Sequence, residues 1–414
     1  MRPNSGGLRY FGRIRNGTTP ASGEAEYWGG DVLWATPEDL GKLAGDSISQ
    51  TKRQVTEKAV QENNLSVLPV GSVIISTRAP IGHMAINDKP MAFNQGCRGI
   101  IPGDRVHGPF LYYLLKYRAA ELNAMANGTT FVELSRDELA AVPVEFPSLD
   151  TQQRIAQFLD EKTAQIDGLI EKKRALLERL AEKRQALITR AVTKGLDPDA
   201  PMKPSGIDWL GDIPEHWEIR GLTKCTRRVD YRGATPEKSS EGVFLVTAKN
   251  IKNGQIDYEA SKEYIPEGTY EYVMRRGKPE IGEVLFTTEA PLGEIASVDR
   301  TDIALAQRII KFSSALDGLT NNYLAYWMYS SAFRADILSR ATGSTALGIK
   351  ASKIVELRCL LPPKREQDEI TALLDGDAVA RNEVVRAIQT SIERLIEYRS
   401  ALITAAVTGK IAEL

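Results

Sequence analysis

The segment RQALITRAVTKG at residues 184–195 returns as RSALITAAVTGK at residues 399–410, with eight of twelve positions identical. A second pair, STRAPIGHMA at 76–85 and TTEAPLGEIA at 287–296, has a slightly different offset, as expected when loops gain or lose residues. The repeat is about half the chain, far longer than the ~20–50 residues of a solenoid unit. We therefore infer a tandem duplication of a whole module, suited to reading two similar things at a fixed separation.

The composition indicates a globular protein with neither a membrane segment nor a secretory signal. The chain has 414 residues, which is longer than a domain with a single hydrophobic core usually is. Its residues are 42% apolar and 26% charged, as in globular proteins. Its net charge of −1 neither indicates nor excludes nucleic acid, because a basic face can be balanced elsewhere. No apolar run reaches the ~18 residues of a membrane span. The three scattered cysteines predict small buried side chains in a cytoplasmic protein rather than disulfides.

Each half contains a mixed α/β segment. VLPVGSVIIST at 67–77 has the β-branched content of a strand, and residues 108–126 have helical spacing. In the second half, GEVLFTT at 282–288 is the corresponding strand and residues 321–341 the corresponding helix. The two halves therefore follow one plan.

A long helix is predicted after each α/β segment, over residues 151–195 and 364–408. Forty-five residues of helix span roughly 68 Å, whereas a helix in a soluble domain averages about 11–12 residues. Apolar residues recur as in a coiled-coil seam. The seam positions are Leu159, Ile166, Leu169, Leu176, Leu180 and Leu187 in the first helix, and Val385, Ile388, Ile392, Leu395, Leu402 and Ala406 in the second. Such a helix needs a partner, and the second copy supplies one.

These elements predict an α+β fold with two mixed α/β domains separated by a pair of long antiparallel coiled-coil helices, and with an internal pseudo-twofold duplication. The Pro- and Gly-rich stretch before the second domain lacks periodicity, which indicates a connector. The predicted bounds are 1–147 for the first domain, 148–196 for the central helix, 197–216 for the connector, 217–362 for the second domain and 363–414 for the C-terminal helix. A duplex target with two half-sites has matching symmetry.

Sequence motifs for catalysis are absent. The chain has no P-loop, no dinucleotide-binding glycine pattern and no adenine methyltransferase motif of the NPPY type. Its three histidines and three cysteines do not form an HExxH motif or a zinc-binding set. We therefore predict no catalytic, cofactor or metal site.

Several phrases in combination resemble the DNA-specificity subunits of Type I restriction–modification enzymes. They are PSLDTQQRIAQFLD and PPKREQDEITALLD at the helix starts, the repeated ALIT segments near the helix ends, GIDWLGDIPEHWEI, STRAPIGHMAI and FNQGCRGI. The resemblance covers essentially the whole chain. One departure is that nothing before Leu8 matches the WLGDIPEHW phrase, so either the first domain starts shorter or the chain lacks its natural start.

The resemblance implies a non-catalytic protein in which each globular domain is a target-recognition domain. Each domain would read one half of a bipartite double-stranded DNA site. The helices would serve as a ruler and as the dock for two adenine methyltransferase subunits, and two motor-nuclease subunits would join that core.

Candidate DNA-binding residues are basic, amide or hydroxyl side chains on predicted loops, where such groups suit phosphate and base-edge contacts. They are Lys52, Arg53, Arg78, Asn127, Thr129, Thr130, Lys249, Asn250, Lys252, Arg275, Arg276, Ser344 and Thr345. The alternative for each is a solvated loop or, after the helices, a C-terminal cap and turn. The second copy has Glu289 where the first has Arg78, a difference that two domains with different targets would show.

Two other classes of function stay open at this stage. A structural adaptor would bind two protein partners through its paired domains, and an enzyme would need a pocket that the motifs do not reveal. Phosphate contacts impose a salt dependence on DNA binding that an adaptor lacks. The DNA sequence read and the length of the spacer do not follow from the residues.

Overall fold

Both repeats form mixed α/β units, and each unit includes part of both long helices. The computed structural model describes residues 5–43, 45–78, 81–126, 133–233, 235–343 and 347–411. The first unit comprises Met1–Lys173 with Gln389–Leu414, and the second comprises Arg174–Ile388. Both divisions fall inside the two long helices, which therefore belong to both units.

The elements of the first unit are short apart from the long helix that leaves it. Its strands are β1 (Ser5–Gly7), β2 (Gly12–Asn16), β3 (Trp28–Ala35), β4 (Ser47–Ile48), β5 (Arg53–Val55), β6 (Val73–Ser76), β7 (Met84–Asn87), β8 (Met91–Phe93), β9 (Cys97–Pro102) and β10 (Pro143–Glu145). Its helices are α1 (Pro37–Gly41), α2 (Glu57–Glu62), α3 (Gly108–Tyr117), α4 (Ala119–Ala126), α5 (Arg136–Ala141) and the long α6 (Leu149–Lys194).

The second unit follows the same order. Its strands are β11 (Met202–Pro204), β12 (Asp212–Pro214), β13 (Glu218–Gly221), β14 (Thr226–Asp230), β15 (Val243–Val246), β16 (Ile251–Lys252), β17 (Gln255–Ile256), β18 (Tyr264–Ile265), β19 (Val284–Thr288), β20 (Leu292–Ser297), β21 (Ile303–Leu305), β22 (Ile309–Ser314) and β23 (Arg358–Leu361). Its helices are α7 (Leu222–Cys225), α8 (Tyr270–Val273), α9 (Asn321–Tyr329), α10 (Ser331–Arg340), α11 (Ala351–Ile354) and the long α12 (Lys364–Val407).

Sheet topology repeats between the units, as a duplication requires. The larger sheet has the strand order β2-β9-β6-β7-β4 in the first unit and β14-β22-β19-β20 in the second. The three-stranded sheets, β5-β3-β8 and β18-β15-β21, each contain one antiparallel and one parallel pair. An antiparallel pair, β1 with β10 and β13 with β23, joins the start and end of each globular part. The predicted mixed α/β class is confirmed.

Each hydrophobic core contains the start of one long helix and the end of the other. In the first unit, Leu159 of α6 and Ala406 of α12 belong to one buried cluster. In the second, Leu374 of α12 and Val192 of α6 do so. Within each unit the long helices are therefore held by the same apolar core as the sheet, rather than lying on its surface.

A buried glutamine fixes the start of each long helix. The side-chain carbonyl of Gln152 accepts the His107 amide proton at 2.8 Å, and its amide group donates to the carbonyls of Arg105 and Pro147. Gln367 repeats this pattern. Its side-chain carbonyl accepts the Thr320 amide proton at 2.9 Å, and its amide group donates to the carbonyls of Gly318 and Pro362. The glutamines saturate backbone groups that would otherwise be buried without partners.

The single helices predicted at 108–126 and 321–341 are each two helices. The second breaks at Ser330, whose backbone is extended (φ −66°, ψ 153°) and whose side-chain Oγ caps α10 by accepting the Phe333 amide proton. The first breaks at Arg118, which ends α3. Apolar periodicity passes through both breaks, so periodicity alone did not predict them. Serine at a helix start is a capping signal that could have done so.

Two of the six seam positions predicted in α6 are wrong. Leu169 and Leu176 are 48% and 45% exposed. Ile170 is 5% exposed and Leu177 is half-buried instead. Leu169 and Leu176 are seven residues apart, and so are Ile170 and Leu177. The exposed leucines therefore fit the same periodicity as the buried pair, one position earlier in the sequence.

The stretch 197–216, which lacks periodicity and is predicted to be a connector, contains the antiparallel pair β11 and β12. All three cysteines are buried, as predicted. Among the described residues, no helix is both long enough and apolar enough to cross a membrane.

Candidate nucleic-acid interface

Three segments of the first unit meet at a loop junction, formed by residues that leave β6, enter β9 and precede α5. The Thr77 amide donates to the Gly96 carbonyl at 2.8 Å, and the Leu134 amide donates to the Thr77 carbonyl at 2.9 Å. The junction thus brings together residues of the STRAPIG phrase, the FNQGCRG phrase and the segment that precedes α5.

The second unit forms an equivalent loop junction from residues that leave β19, enter β22 and precede α11. The Thr288 amide donates to the Arg308 carbonyl at 2.8 Å, and the Ile349 amide donates to the Thr288 carbonyl at 3.0 Å. Because backbone groups make these bonds, the junction keeps its geometry while its side chains differ.

Charged side chains line both junctions in different arrangements. In the first unit, the Oε atoms of Glu133 accept from Arg78 Nε at 2.9 Å and from Arg98 Nη2 at 3.1 Å. In the second unit, Glu289 replaces Arg78 and accepts from Arg308 Nε at 2.8 Å. Arg78, Glu289 and Arg308 are about half exposed. A guanidinium has five N–H donors, so these ion pairs leave donors for phosphate or base edges.

Arg308 has a left-handed backbone with φ 79°. Side chains other than glycine, asparagine and aspartate rarely adopt this conformation, which costs on the order of 1–3 kcal/mol. The first unit has Gly96 at the matching place, where the backbone is not left-handed. An exposed ion pair contributes about 0–1 kcal/mol, so its pair with Glu289 does not offset this cost. Strain of this kind points to a functional side chain.

Of the predicted residues, Arg78 lies at the first junction, whereas Lys52 and Arg53 lie at the start of the edge strand β5. The Arg53 guanidinium carbon is 3.4 Å from the ring centroid of Trp28. Lys52 Nζ is 3.6 Å from a carboxylate oxygen of Glu38. Both side chains are exposed and basic, which suits phosphate contacts apart from the junction.

In the second unit, Lys249 and Lys252 are exposed in and after the turn that follows β15. Asn250, between them, is fully buried. Its side chain accepts the Thr247 amide proton at 2.9 Å and donates to the carbonyls of Asp257 and Ser261. The prediction of a DNA contact at Asn250 is wrong, because the side chain is used to hold the turn.

The predicted pair Arg275 and Arg276 follows α8 and is exposed. Arg276 Nη1 donates to the carbonyls of Asp230 at 2.6 Å and Arg232 at 2.8 Å. The Arg275 guanidinium lies 4.1 Å from the ring centroid of Tyr272. Arg276 therefore supports the end of β14 and the segment after it, whereas Arg275 stacks on Tyr272. The remaining predicted residues lie outside the described part of the chain, namely Asn127, Thr129, Thr130, Ser344 and Thr345.

Sequence reasoning missed several functional candidates at the junctions. Arg98, Glu133 and Arg308 were not selected, although aligning FNQGCRG with LAQRIIK would have placed Arg308 beside the selected phrases. Arg232 was also missed. Its guanidinium donates to the carbonyl of Ile349 at 3.2 Å, and hydrogen bonding to Asp230 raises its pKa.

Comparison with known proteins gives the junctions a family context. Residues 8–179 match the family model described as Type I restriction modification DNA specificity domain. This part of the chain is therefore similar to the DNA specificity domain of Type I restriction enzymes. Within the described residues, no cluster of side chains suited to holding a metal ion is found.

Specificity subunits of Type I restriction enzymes align with parts of the chain. The MjaIX specificity subunit of Methanocaldococcus jannaschii is 42% identical over 154 residues, which cover 37% of this chain and 36% of the relative. The EcoR124I/EcoR124II specificity subunit of Escherichia coli is 26% identical over 161 residues, 37% of this chain and 39% of the relative. This chain thus spans well under half of the length of these two relatives. The M. jannaschii MjaVIII specificity subunit aligns over 73% of this chain and 70% of its own length, at 22% identity.

A solved structure described as the basis of complex assembly and conformational transition of the type I R-M system shares the fold. It has a TM-score of 0.66 and covers 97% of both chains, at 15% sequence identity. At that identity the likeness concerns the fold alone, including the long helices and both globular parts.

Proposed function

We propose that this chain is the non-catalytic DNA-recognition subunit of a Type I restriction–modification complex. Each globular part reads one half of a bipartite duplex site. The chain directs partner adenine methyltransferase subunits, two per chain because the module is duplicated, and motor-nuclease subunits join that core. It acts in the cytoplasm.

The charge difference between the two loop junctions carries the proposal. Equivalent backbone hydrogen bonds flank Arg78 in one unit and Glu289 in the other. An arginine donates to the acceptors of guanine, and a glutamate accepts from the amino group of cytosine. One scaffold with exchanged charges is what two readers of different half-sites need.

The proposed division of labour assigns residues 1–147 and 217–362 to the two target-recognition domains. Residues 148–196 and 363–414 form the spacer and dock, and residues 197–216 connect the modules. Lys52, Arg53, Lys249 and Lys252 contact phosphates on the flanks of each junction, where exposed basic side chains fix the register of the protein on the duplex.

Binding of the full chain to duplex DNA tests the recognition part of the proposal. We expect selection from a random duplex pool to yield two short specific segments separated by a nonspecific spacer. Affinity should fall linearly with salt on logarithmic scales, with a slope of about −0.9 for each phosphate contact. Binding without a salt dependence, or to protein partners alone, would favour a structural adaptor instead.

Methyl transfer tests the catalytic part. The isolated chain should transfer no methyl groups to its selected duplex. Addition of the cognate methyltransferase subunit should produce adenine methylation within both half-sites. Turnover by the pure chain would overturn the assignment of catalysis to a partner.

A further inference from the structure

A cavity of about 220 Å³ lies beside the loop junction of the second unit. Its walls include Tyr231, Thr235, Glu237, Tyr272, Arg275 and Leu305. Leu305 ends β21, three residues before the junction residue Arg308. The neighbouring Arg232 donates to the third junction segment at Ile349. The cavity therefore opens next to the side chains that the proposed function places against DNA.

The wall that follows β14 is held in place by hydrogen bonds. Tyr231 Oη donates to the Gly277 carbonyl at 2.5 Å, and burial raises the pKa of this phenol, which keeps it a donor. Arg276 donates to the carbonyls of Asp230 and Arg232. The cavity is thus preformed rather than a gap between loose loops.

The chemistry of the walls suits a planar heteroaromatic ring with polar edges. Tyr272 is 68% exposed, and the Arg275 guanidinium is 4.1 Å from its ring centroid, so two flat groups line the entrance. Thr235 and Glu237 offer hydroxyl and carboxylate groups, while Leu305 offers an apolar wall. Nucleobases stack on aromatic rings and guanidinium planes and are read at their polar edges. A phosphate group alone would leave the apolar wall unused.

We propose that this cavity receives one base of the second half-site, displaced from the duplex stack. The inference rests on the proposed DNA-recognition function and adds a mode of readout to it. Displacement lets the unit read the edge that the base otherwise uses for pairing, which side chains in a groove do not reach.

The corresponding region of the first unit is built differently. By strand register, the residue in the place of Leu305 is Phe93; both side chains are 1% exposed, so the difference is the larger ring in the first unit. The indole N–H groups of Trp34 and Trp28 donate to the carbonyls of Thr18 and Ala21, beneath the segment that matches the wall after β14. The rings of Trp28 and Trp34 thus support the segment after β2 in the first unit. The proposal therefore places base displacement at the second half-site only.

The test uses the full chain and its selected duplex, with one nucleotide at a time replaced by an abasic analogue along the second half-site. Removing the base opposite a displaced base abolishes the pairing that displacement must break. We expect one such position at which the wild-type chain binds at least about fivefold more tightly, because the unpairing cost is gone. At all other positions, loss of a base should leave affinity unchanged or lower.

The Tyr272→Ala variant should bind without this gain, because the displaced base loses its stacking partner. Tyr10→Ala is a matched control, since Tyr10 is also a 68% exposed tyrosine but lies in the first unit; it should keep the gain. The inference fails if no position tightens binding or if Tyr272→Ala retains the gain. If the full chain binds no duplex at all, the proposed function fails instead.

Discussion

Arg308 combines a strained backbone with an exposed charge, which makes its removal informative. In Arg308→Gly, relief of the left-handed conformation should leave the free energy of unfolding unchanged or raise it by up to about 1 kcal/mol. Affinity for the second half-site should fall about tenfold if a guanidinium contact to a base is lost. Chemical denaturation and fluorescence anisotropy with the selected duplex measure the two effects.

Arg300→Gly is the control for Arg308, because Arg300 is similarly exposed and forms its own ion pair with Asp302. Its affinity for the duplex should stay at the wild-type value. A variant at Arg308 that is less stable yet binds normally would show that this arginine is structural.

His107 should make the first unit sensitive to acid. Burial lowers its pKa below the ordinary value of 6.5, and its Nδ1 has no hydrogen-bond partner among the described residues. Because the folded pKa is lowered, the contribution to stability is present above pH 6.5 and is lost as the pH falls through the folded pKa. The His107→Asn variant should lose this part of the decline in melting temperature measured between pH 7 and pH 5.

Single residues were the least predictable level of this molecule from sequence. The exposed basic residues Lys52, Lys249 and Arg275 are predicted to bind DNA because of their loop positions. The same criterion predicts a DNA contact for Asn250, which is buried. An asparagine that holds a turn and an asparagine that faces DNA occupy the same kind of polar stretch. Only the partners of the side chain distinguish them, and those partners are set by tertiary structure.

Among the elements, the long helices depend on the glutamines at their starts. Gln367→Leu should lower the free energy of unfolding by roughly 3 kcal/mol, because the Thr320 amide and two carbonyls lose their partner in a buried place. Gln389→Leu is the control, since Gln389 is exposed on the same helix. Equal effects of the two changes in a denaturant titration would contradict the assigned role.

The seam of α6 gives a paired prediction at adjacent positions. Ile170→Ala should lower the free energy of unfolding by about 2–4 kcal/mol because Ile170 is buried. Leu169→Ala should change it by no more than about 0.5 kcal/mol because its side chain is exposed. A larger effect at Leu169 in the isolated chain would restore the seam predicted from sequence.

Element types were well predicted where periodicity extended over many residues, as in both long helices. The strands that begin at Val73 and Val284 were also predicted, because β-branched runs bounded by glycine are specific signals of a strand. Breaks such as Ser330 were missed, since a cap acts on one position and leaves the apolar pattern intact. Hairpin pairing of β11 with β12 was missed for a related reason, because a three-residue strand is too short to show alternation.

At the scale of the whole molecule, the repeated topology predicts that the two readers act independently. Exchanging 217–362 for the same domain of a related specificity subunit should change one half of the methylated motif. The other half and the spacer length should stay the same, because the first junction and both long helices are unaltered. Genome-wide profiling of modified adenines measures both half-sites and the spacer length in one experiment. A change in both half-sites would show that the two domains do not read independently.

The sharing of the long helices between cores also bears on how the protein is made. The first unit needs Ile403 and Ala406 for its core, and Arg399 for its ion pair with Asp167. These residues leave the ribosome after the second unit, which is complete once residue 388 has emerged. A nascent chain stalled after residue 388 should therefore be resistant to protease in its second half and susceptible in its first. The half that is translated first is therefore the last to finish folding.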